Sequence, residues 1–391
     1  MKSMLLLFAI ALMVMAPSNR LQAQSDSPTL IKAGVVITMN GEPLSPGQIL
    51  IENGKIAAVA AEVAAPDSAT VIDLGASATV MPGMVDAYSQ TGLGTDGTDE
   101  ITQEITPDFR ALDSVDWDQA ATKRQLLVGT TTMCVCPGRQ AVISGTAAVI
   151  KTAAGEGSVL VESGPLLVNL CNDPTARNRS RSRPDGLYIR QPTNRMGVVW
   201  MLRKAFDDAK RDVPGAATEI AEALAGQRSM MVFSRKSHDL RTIATLQDEF
   251  GYQPIVVGAQ EAYLVKDLLL ERKYPVVLEP AGTGGIYGDE RSELCWNNAG
   301  VLAEAGVPVA ISGDELLEQA RFAVRFGMSR EKALAAVTTA GAEILGIEKR
   351  VGKIAEGFDA DLVALSGDPM EFTTSIRWVM VDGQVFGMDK E

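Results

Sequence analysis

Histidine is the side chain most often used to bind a catalytic metal or to move a proton near neutral pH. This chain of 391 residues holds a single one, His238. One imidazole cannot furnish a histidine-rich zinc site of three or more protein ligands, whatever the alignment. The four cysteines, Cys134, Cys136, Cys171 and Cys295, do not make up the deficit. Cys134 and Cys136 stand two apart in a strand-like run and so share a face. They read first as small buried apolar residues, with a metal or redox pair a distant second. The polar groups placed at or near the ends of apolar runs are Tyr88, Gln90, Asn169, Arg235, Glu279 and Asp314. They admit two interpretations. In one they form a polar pocket, with Arg235 gripping a carboxylate and Asp314 or Glu279 as base. In the other, Arg235 pairs with an acid and fills the space, and this second interpretation carries more weight.

Three further arrangements remain open. Cys136 and His238 both follow strand-like runs and could form a nucleophilic pair, although nothing in the sequence orients them. Asp314, Glu279 and Asp86 could hold Mg²⁺ or Ca²⁺, ions that take several oxygens. Arg177, Arg179, Arg181 and Arg183, just before a Pro-Asp-Gly turn, could meet an acidic ligand, but such a run is more often a solvated loop. His238 is expected at a helix start facing solvent, and Asp86 as a support beneath the site.

Positioning these residues requires a scaffold. Apolar runs at 80–87, 130–136, 166–170, 230–233, 254–257, 275–278 and 307–311 have the continuous hydrophobicity of strands buried on both faces. Helical periodicity lies between them. Leu264, Val265, Leu268 and Leu269 mark one helix, and Ser329 caps another that should run to about Gly346. An eighth strand is expected within 141–161, giving the alternation of a (β/α)8 barrel over 81–350. A doubly wound open sheet is the alternative. Residues 28–80 and 351–388 carry short strands with Asn53-Gly54 and Asp382-Gly383 hairpin signals. Too few strands lie at either end for a sheet of its own, so the two ends are expected to meet in one small β-sandwich domain.

Charged residues are 22% and hydrophobic ones 46%, an ordinary globular balance. The net charge of −13 would repel phosphate, which argues against nucleic-acid partners. Residues 1–23 run from Lys2 through an apolar core to Leu21-Gln22-Ala23, the order of a cleavable signal peptide. Export to the periplasm or outside the cell is therefore expected, with no transmembrane span in the mature chain. An uncleaved anchor is the alternative.

Two segments connect the scaffold to a known family. Val80-Met81-Pro82-Gly83-Met84-Val85-Asp86-Ala87-Tyr88-Ser89-Gln90 resembles the first barrel strand of the amidohydrolase superfamily, which reads Pro-Gly, two apolar residues, Asp, a spacer and His-x-His. The stretch from Val351 to Leu365, with Asp359-Ala360-Asp361-Leu362, resembles the family's return from barrel to small domain. Residues 105–113, 190–197 and 261–265 are similar to imidazolonepropionase-related members. The resemblance covers nearly all the chain after residue 23.

It implies hydrolysis of amide or cyclic-amide C–N bonds at one or two divalent metals, whose bound water becomes the nucleophile. Yet Tyr88 and Gln90 stand in the His-x-His positions. The later histidine positions fall in Phe233-Ser234-Arg235 and Val257-Gly258-Ala259. The lysine that many members carboxylate has no counterpart in 166–170, and Lys151 is the nearest. Asp314 alone matches a family ligand. The resemblance therefore implies an exported amidohydrolase-family protein, without the usual zinc or other divalent cofactor. It would act as a ligand-binding homologue, or as a partner of an active relative or of its own copies. A metal-independent hydrolase using Asp314, and a structural or assembly role, are the alternatives.

Overall fold

A computed structural model describes residues 27–94, 98–153, 158–171, 173–176, 191–280 and 295–387. The proposed signal peptide and the arginine cluster at 177–183 lie outside them. Six strands come first: β1 (Thr29–Ala33), β2 (Val35–Val36), β3 (Gly47–Glu52), β4 (Lys55–Ala60), β5 (Thr70–Asp73) and β6 (Thr79–Pro82). β3 and β4 are joined by Asn53 and Gly54, both at positive φ, the left-handed pair a two-residue hairpin needs.

Ten strands follow. They are β7 (Met84–Ser89), β8 (Thr130–Val135), β9 (Ile143–Thr146), β10 (Ala148–Lys151) and β11 (Val159–Val161), then β12 (Leu166–Asn169), β13 (Met230–Ser234), β14 (Pro254–Gly258), β15 (Val276–Leu278) and β16 (Val309–Ile311). β7 and β8 are parallel, as are β12 through β16. The expected eighth strand is present but runs the other way. β10 pairs antiparallel with β8, and β9 pairs antiparallel with β12. The link from β8 to its partner β10, residues 136–147, is occupied by β9 and its turns and holds no crossover helix, so β10 returns antiparallel.

Helices cover this part: α1 (Ala120–Leu127), α2 (Asp173–Ala176), α3 (Arg195–Lys210), α4 (Thr218–Leu224) and α5 (Ser237–Phe250), then α6 (Lys266–Arg272), α7 (Asn298–Ala305), α8 (Leu316–Arg325), α9 (Arg330–Ala336) and α10 (Thr339–Leu345). Strand side chains alternate between two cores. Val85, Cys134, Leu167, Met231, Val257 and Val277 share an inner cluster. Leu166, Val168, Met230, Val232, Val256 and Val276 face the helices instead. Cys134 and Cys136 belong to the inner cluster and are fully buried.

Two helices depart from the sequence expectation. Leu264 is 52% exposed, because 262–265 forms a 3₁₀ turn before α6 and swings that side chain outward. Ser329 caps α9 through Lys332 N, but the helix breaks before Thr338 and resumes as α10, ending at left-handed Gly346. The break has a use. Val85 N donates to the freed Val337 carbonyl at 2.9 Å, which satisfies the outer edge of β7. Among the described residues no strand ladder joins β16 to β7.

Three strands end the chain: β17 (Leu362–Leu365), β18 (Ile376–Val381) and β19 (Gln384–Phe386). β17 pairs antiparallel with β6, so the two ends of the sequence share a sheet of order β19-β18-β17-β6-β2. A second sheet, β4-β3-β1-β5, contributes Ile31, Ile49 and Ile56 to the same core as Val80, Leu362 and Trp378. Lys151, at the end of β10, anchors the junction. Its ammonium lies 2.8 Å from Asp359, 3.0 Å from Asp361 and 2.6 Å from Asp382, with the side chain 1% exposed. Gly83, between β6 and β7, is needed for close approach, since a Cβ there would meet Thr131 Oγ1 at 2.1 Å. No described helix is long and apolar enough to cross a membrane.

Candidate functional site

The parallel strands present their carboxyl ends on one side, where barrel sites are assembled. Phe233, the penultimate residue of β13, is fully buried there and is the platform of the site. Two guanidinium groups lie against its ring, Arg139 at 4.5 Å and Arg235 at 4.7 Å from the centroid. The Tyr88 ring, from β7, is tilted against it at 5.9 Å. The cation–π attraction is worth more away from water than on an open surface.

Two carboxylates balance the cations. Glu279, immediately after β15, accepts from Arg139 Nη1 at 2.6 Å, from Gln260 Nε2 at 2.9 Å and from Arg235 Nε at 3.4 Å. Asp173, at the start of α2, lies 3.3 Å from Arg139 Nε and 3.4 Å from Arg235 Nη1. The network is thus two cations and two anions, and its contacts are unequal. Arg139 grips Glu279 tightly, whereas every carboxylate contact of Arg235 is 3.4 Å or longer. Burial opposes the charge on Arg139, but nearby Tyr88, Glu279 and Asp173 outweigh it, so the guanidinium stays protonated. A cavity of about 330 Å³ opens beside Arg139 and Asp173 and is lined also by Gln90, Asp99 and Gln140.

The other residues singled out from sequence have separate places. Tyr88 is 5% exposed with its hydroxyl unpartnered, and burial raises its pKa. Gln90 Nε2 donates to the Pro137 carbonyl at 3.4 Å. Asn169 is fully buried and donates to Ala141 O at 2.7 Å and Ser144 Oγ at 2.6 Å. Asp314 is exposed, and its carboxylate accepts from Gln125 on α1 rather than joining Glu279. Asp86 is 1% exposed and accepts from Tyr88 N at 3.2 Å. Burial pushes its pKa to about 8, with the neighbouring Asp314 charge a smaller cause, so the group is mostly a neutral acid at pH 7.

His238 is 58% exposed and faces Asp239 at 3.2 Å. Cys136 is fully buried, 3.7 Å from the Cys134 sulfur, with its pKa raised by burial. The conjectured Cys136–His238 pair is therefore not assembled. Sequence reasoning missed Arg139, Asp173, Gln260 and Phe233 as members of the site. Arg139 follows the Cys136-Pro137-Gly138 turn and Asp173 precedes Pro174. Both were legible only as loop residues after strands, which is the one signal that could have marked them.

The side chains do not fit the divalent metal that the resemblance implies. Among the described residues no three His, Cys, Asp or Glu groups converge as ligands. The Asp86–Glu279–Asp314 trio does not form, since Asp86 is a buried neutral acid, Glu279 is bound by guanidinium groups and Asp314 turns to α1. A divalent ion beside Phe233 would also face two arginine charges at short range.

Comparison with known proteins agrees with the sequence resemblance. A model of the Amidohydrolase family matches residues 292–386. Amidohydrolase tasK of Hapsidospora irregularis is 27% identical over 428 residues, covering 91% of this chain and 43% of its own length. The chain thus spans less than half of that relative. The crystal structure of an amidohydrolase from Thermotoga maritima MSB8 superposes with a TM-score of 0.82 at 27% identity, covering 91% of this chain and 99% of that one. A second amidohydrolase crystal structure matches in fold, with a TM-score of 0.59 at 17% identity over 93% of this chain and all of that one. The partial family match, the 27%-identical relative and the shared fold together support the amidohydrolase superfamily for this chain.

Proposed function

We propose that this protein is a ligand-binding amidohydrolase homologue that takes carboxylate-bearing small molecules at the strand ends and lacks metal-dependent hydrolysis. The observation that carries the proposal is the pair of arginines on Phe233. Arg235 falls in one of the segments where the resemblance expects a histidine ligand. Guanidinium forks suit carboxylates bidentately. The long contacts of Arg235 mean that an incoming carboxylate could replace Asp173 without breaking the tight Arg139–Glu279 pair. Tyr88, Gln90 and Asn169 complete the polar surroundings in this proposal. A barrel related to the (β/α)8 type, with β9 and β10 antiparallel and the β16–β7 seam bridged by the α9–α10 link, is supported by the parallel β7–β8 pair and the parallel run β12 to β16. The order of residues in 1–23 supports export.

A second reading, a metal-independent hydrolase, draws on Asp86, which holds a proton at neutral pH close to Asp314. Paired acids of unlike protonation are a recurrent acid–base device. Against it, Asp86 is almost fully buried and Asp314 is engaged by Gln125.

A panel of N-acyl amino acids, dipeptides, cyclic amides and lactones separates the two. Binding confined to carboxylate-bearing compounds, weakened by Arg139→Gln and unaccompanied by turnover, is the expected result. Turnover that disappears in Asp314→Asn would replace the proposal with the second reading.

A further inference from the structure

Asp99 lies between β7 and α1, and the turn after β8 wraps around it. Gln140 N donates to its Oδ1 at 2.9 Å, and Thr98 Oγ1 donates to its Oδ2 at 3.3 Å. Gly138 permits this approach, since a Cβ there would collide with the carboxylate. The group is half-buried, and both hydrogen bonds come from neutral donors. Among the described residues no cation stands within ion-pair distance of it. Arg139 is taken by Glu279 and Asp173, and Arg110 faces Asp113 at 3.8 Å.

Asp99 shares a cavity with the arginine network. The space of about 330 Å³ is lined by Gln90, Asp99, Arg139, Gln140 and Asp173. Arg139 and Asp173, with Arg235 and Glu279, form a set whose charges cancel. Asp99 stands outside that set and leaves the cavity with one negative charge in excess. Two amides complete the wall. Gln90 donates through Nε2 to the Pro137 carbonyl, so its oxygen remains as an acceptor. The Gln140 side chain makes no hydrogen bond to a described residue.

Charge narrows the ligand. A simple carboxylate drawn to Arg235 would add a second uncompensated negative charge to the cavity. A cation without a carboxylate would meet two guanidinium groups and satisfy neither. A molecule with one anionic and one cationic end adds no net charge. Its ammonium carries three donors, for which Asp99 and the amide oxygens of Gln90 and Gln140 are acceptors. Pairing of ammonium with carboxylate also belongs to the stronger class of hydrogen bond.

We infer that the ligands of the strand-end site are amino carboxylates, with the carboxylate on Arg235 and the ammonium on Asp99. The inference rests on carboxylate binding at the arginine pair and names the class of carboxylate. It is tested on the full chain by NMR titration with glycine, β-alanine, γ-aminobutyrate and δ-aminovalerate. Each is compared with the alkanoate in which methyl replaces ammonium, from propionate to hexanoate.

At the length that spans the site, the amino compound should bind about tenfold more tightly than its alkanoate, the gain of one charged hydrogen bond. Asp99→Asn keeps an acceptor for Gln140 N and should remove that preference, so that the two compounds bind alike. N-acetylation of the amino compound should remove it as well, and this carries the test alone if Asp99→Asn fails to fold. Alkanoates that match their amino counterparts at every length, yet are weakened by Arg139→Gln, would overturn the inference and leave carboxylate binding standing. A preference that survives in Asp99→Asn would overturn the placement of the ammonium. Absence of binding by both series would overturn the inference together with the reading beneath it.

Discussion

Two ionic networks hold this molecule together, and they are built differently. At the junction with the small sheets, Lys151, Lys55 and Arg350 meet Asp359, Asp361 and Asp382. Lys151 is 1% exposed and touches all three acids within 3.0 Å. At the strand ends, Arg139 and Arg235 meet Asp173 and Glu279 beside a cavity, with one tight contact and several loose ones. Charges balance in both. The first has no slack at its centre, where Lys151, Asp359 and Asp361 are buried and in close contact while Lys55, Arg350 and Asp382 form an exposed rim, which is the condition of a structural staple. The second keeps solvent at its edge and donors that are poorly satisfied, which is the condition of a binding site.

The comparison predicts unequal responses to losing one cation. Lys151→Met leaves Asp361 buried without its cation, a carboxyl already pushed up to about 6 by burial, while Asp359 keeps Lys55 and Arg350 and Asp382 keeps solvent. It should cost about 3–5 kcal/mol in urea unfolding. An effect as small as that at the strand ends would break the distinction. Asp86 sharpens the comparison through pH. Its folded pKa of about 8 exceeds the unfolded value of 3.8, so the unfolded chain gives up its proton first. The stability this group contributes is complete below 3.8 and is lost as pH rises through about 8. Between pH 6 and 8 the parent chain should therefore lose about 2–3 kcal/mol more stability than Asp86→Asn. Parallel pH profiles for the two proteins would show that Asp86 is not a buried neutral acid. The smallest effect is expected for Arg235→Met, about 1 kcal/mol or less, because its contacts are long and Arg139 remains.

The sequence carried much of the architecture. Continuous apolar runs marked the parallel strands β7, β8 and β12 to β16, because burial on both faces leaves no polar alternation. The Asn53-Gly54 and Asp382-Gly383 turns gave two hairpins, because their left-handed φ values suit few other residues. The direction of the eighth strand was legible only through the short, helix-free link at 136–147, and the break before Thr338 had no local signal. At the site, Arg235 and Glu279 stood out as charges following strands. Arg139 and Asp173 did not, since loop residues gain partners only when distant segments fold together. Asp314 matched a family position in sequence, yet its side chain turns to Gln125. Backbone alignment fixes where a residue begins and leaves open which way it points.

The central claim is that paired arginines and carboxylates occupy the place of a histidine-held metal. It is tested most directly by elemental analysis of the purified protein, after incubation with zinc, manganese, magnesium or calcium and exhaustive dialysis. The account predicts less than stoichiometric metal in every case. One or more equivalents of retained zinc, lost on substitution of Glu279 or Asp314, would contradict it.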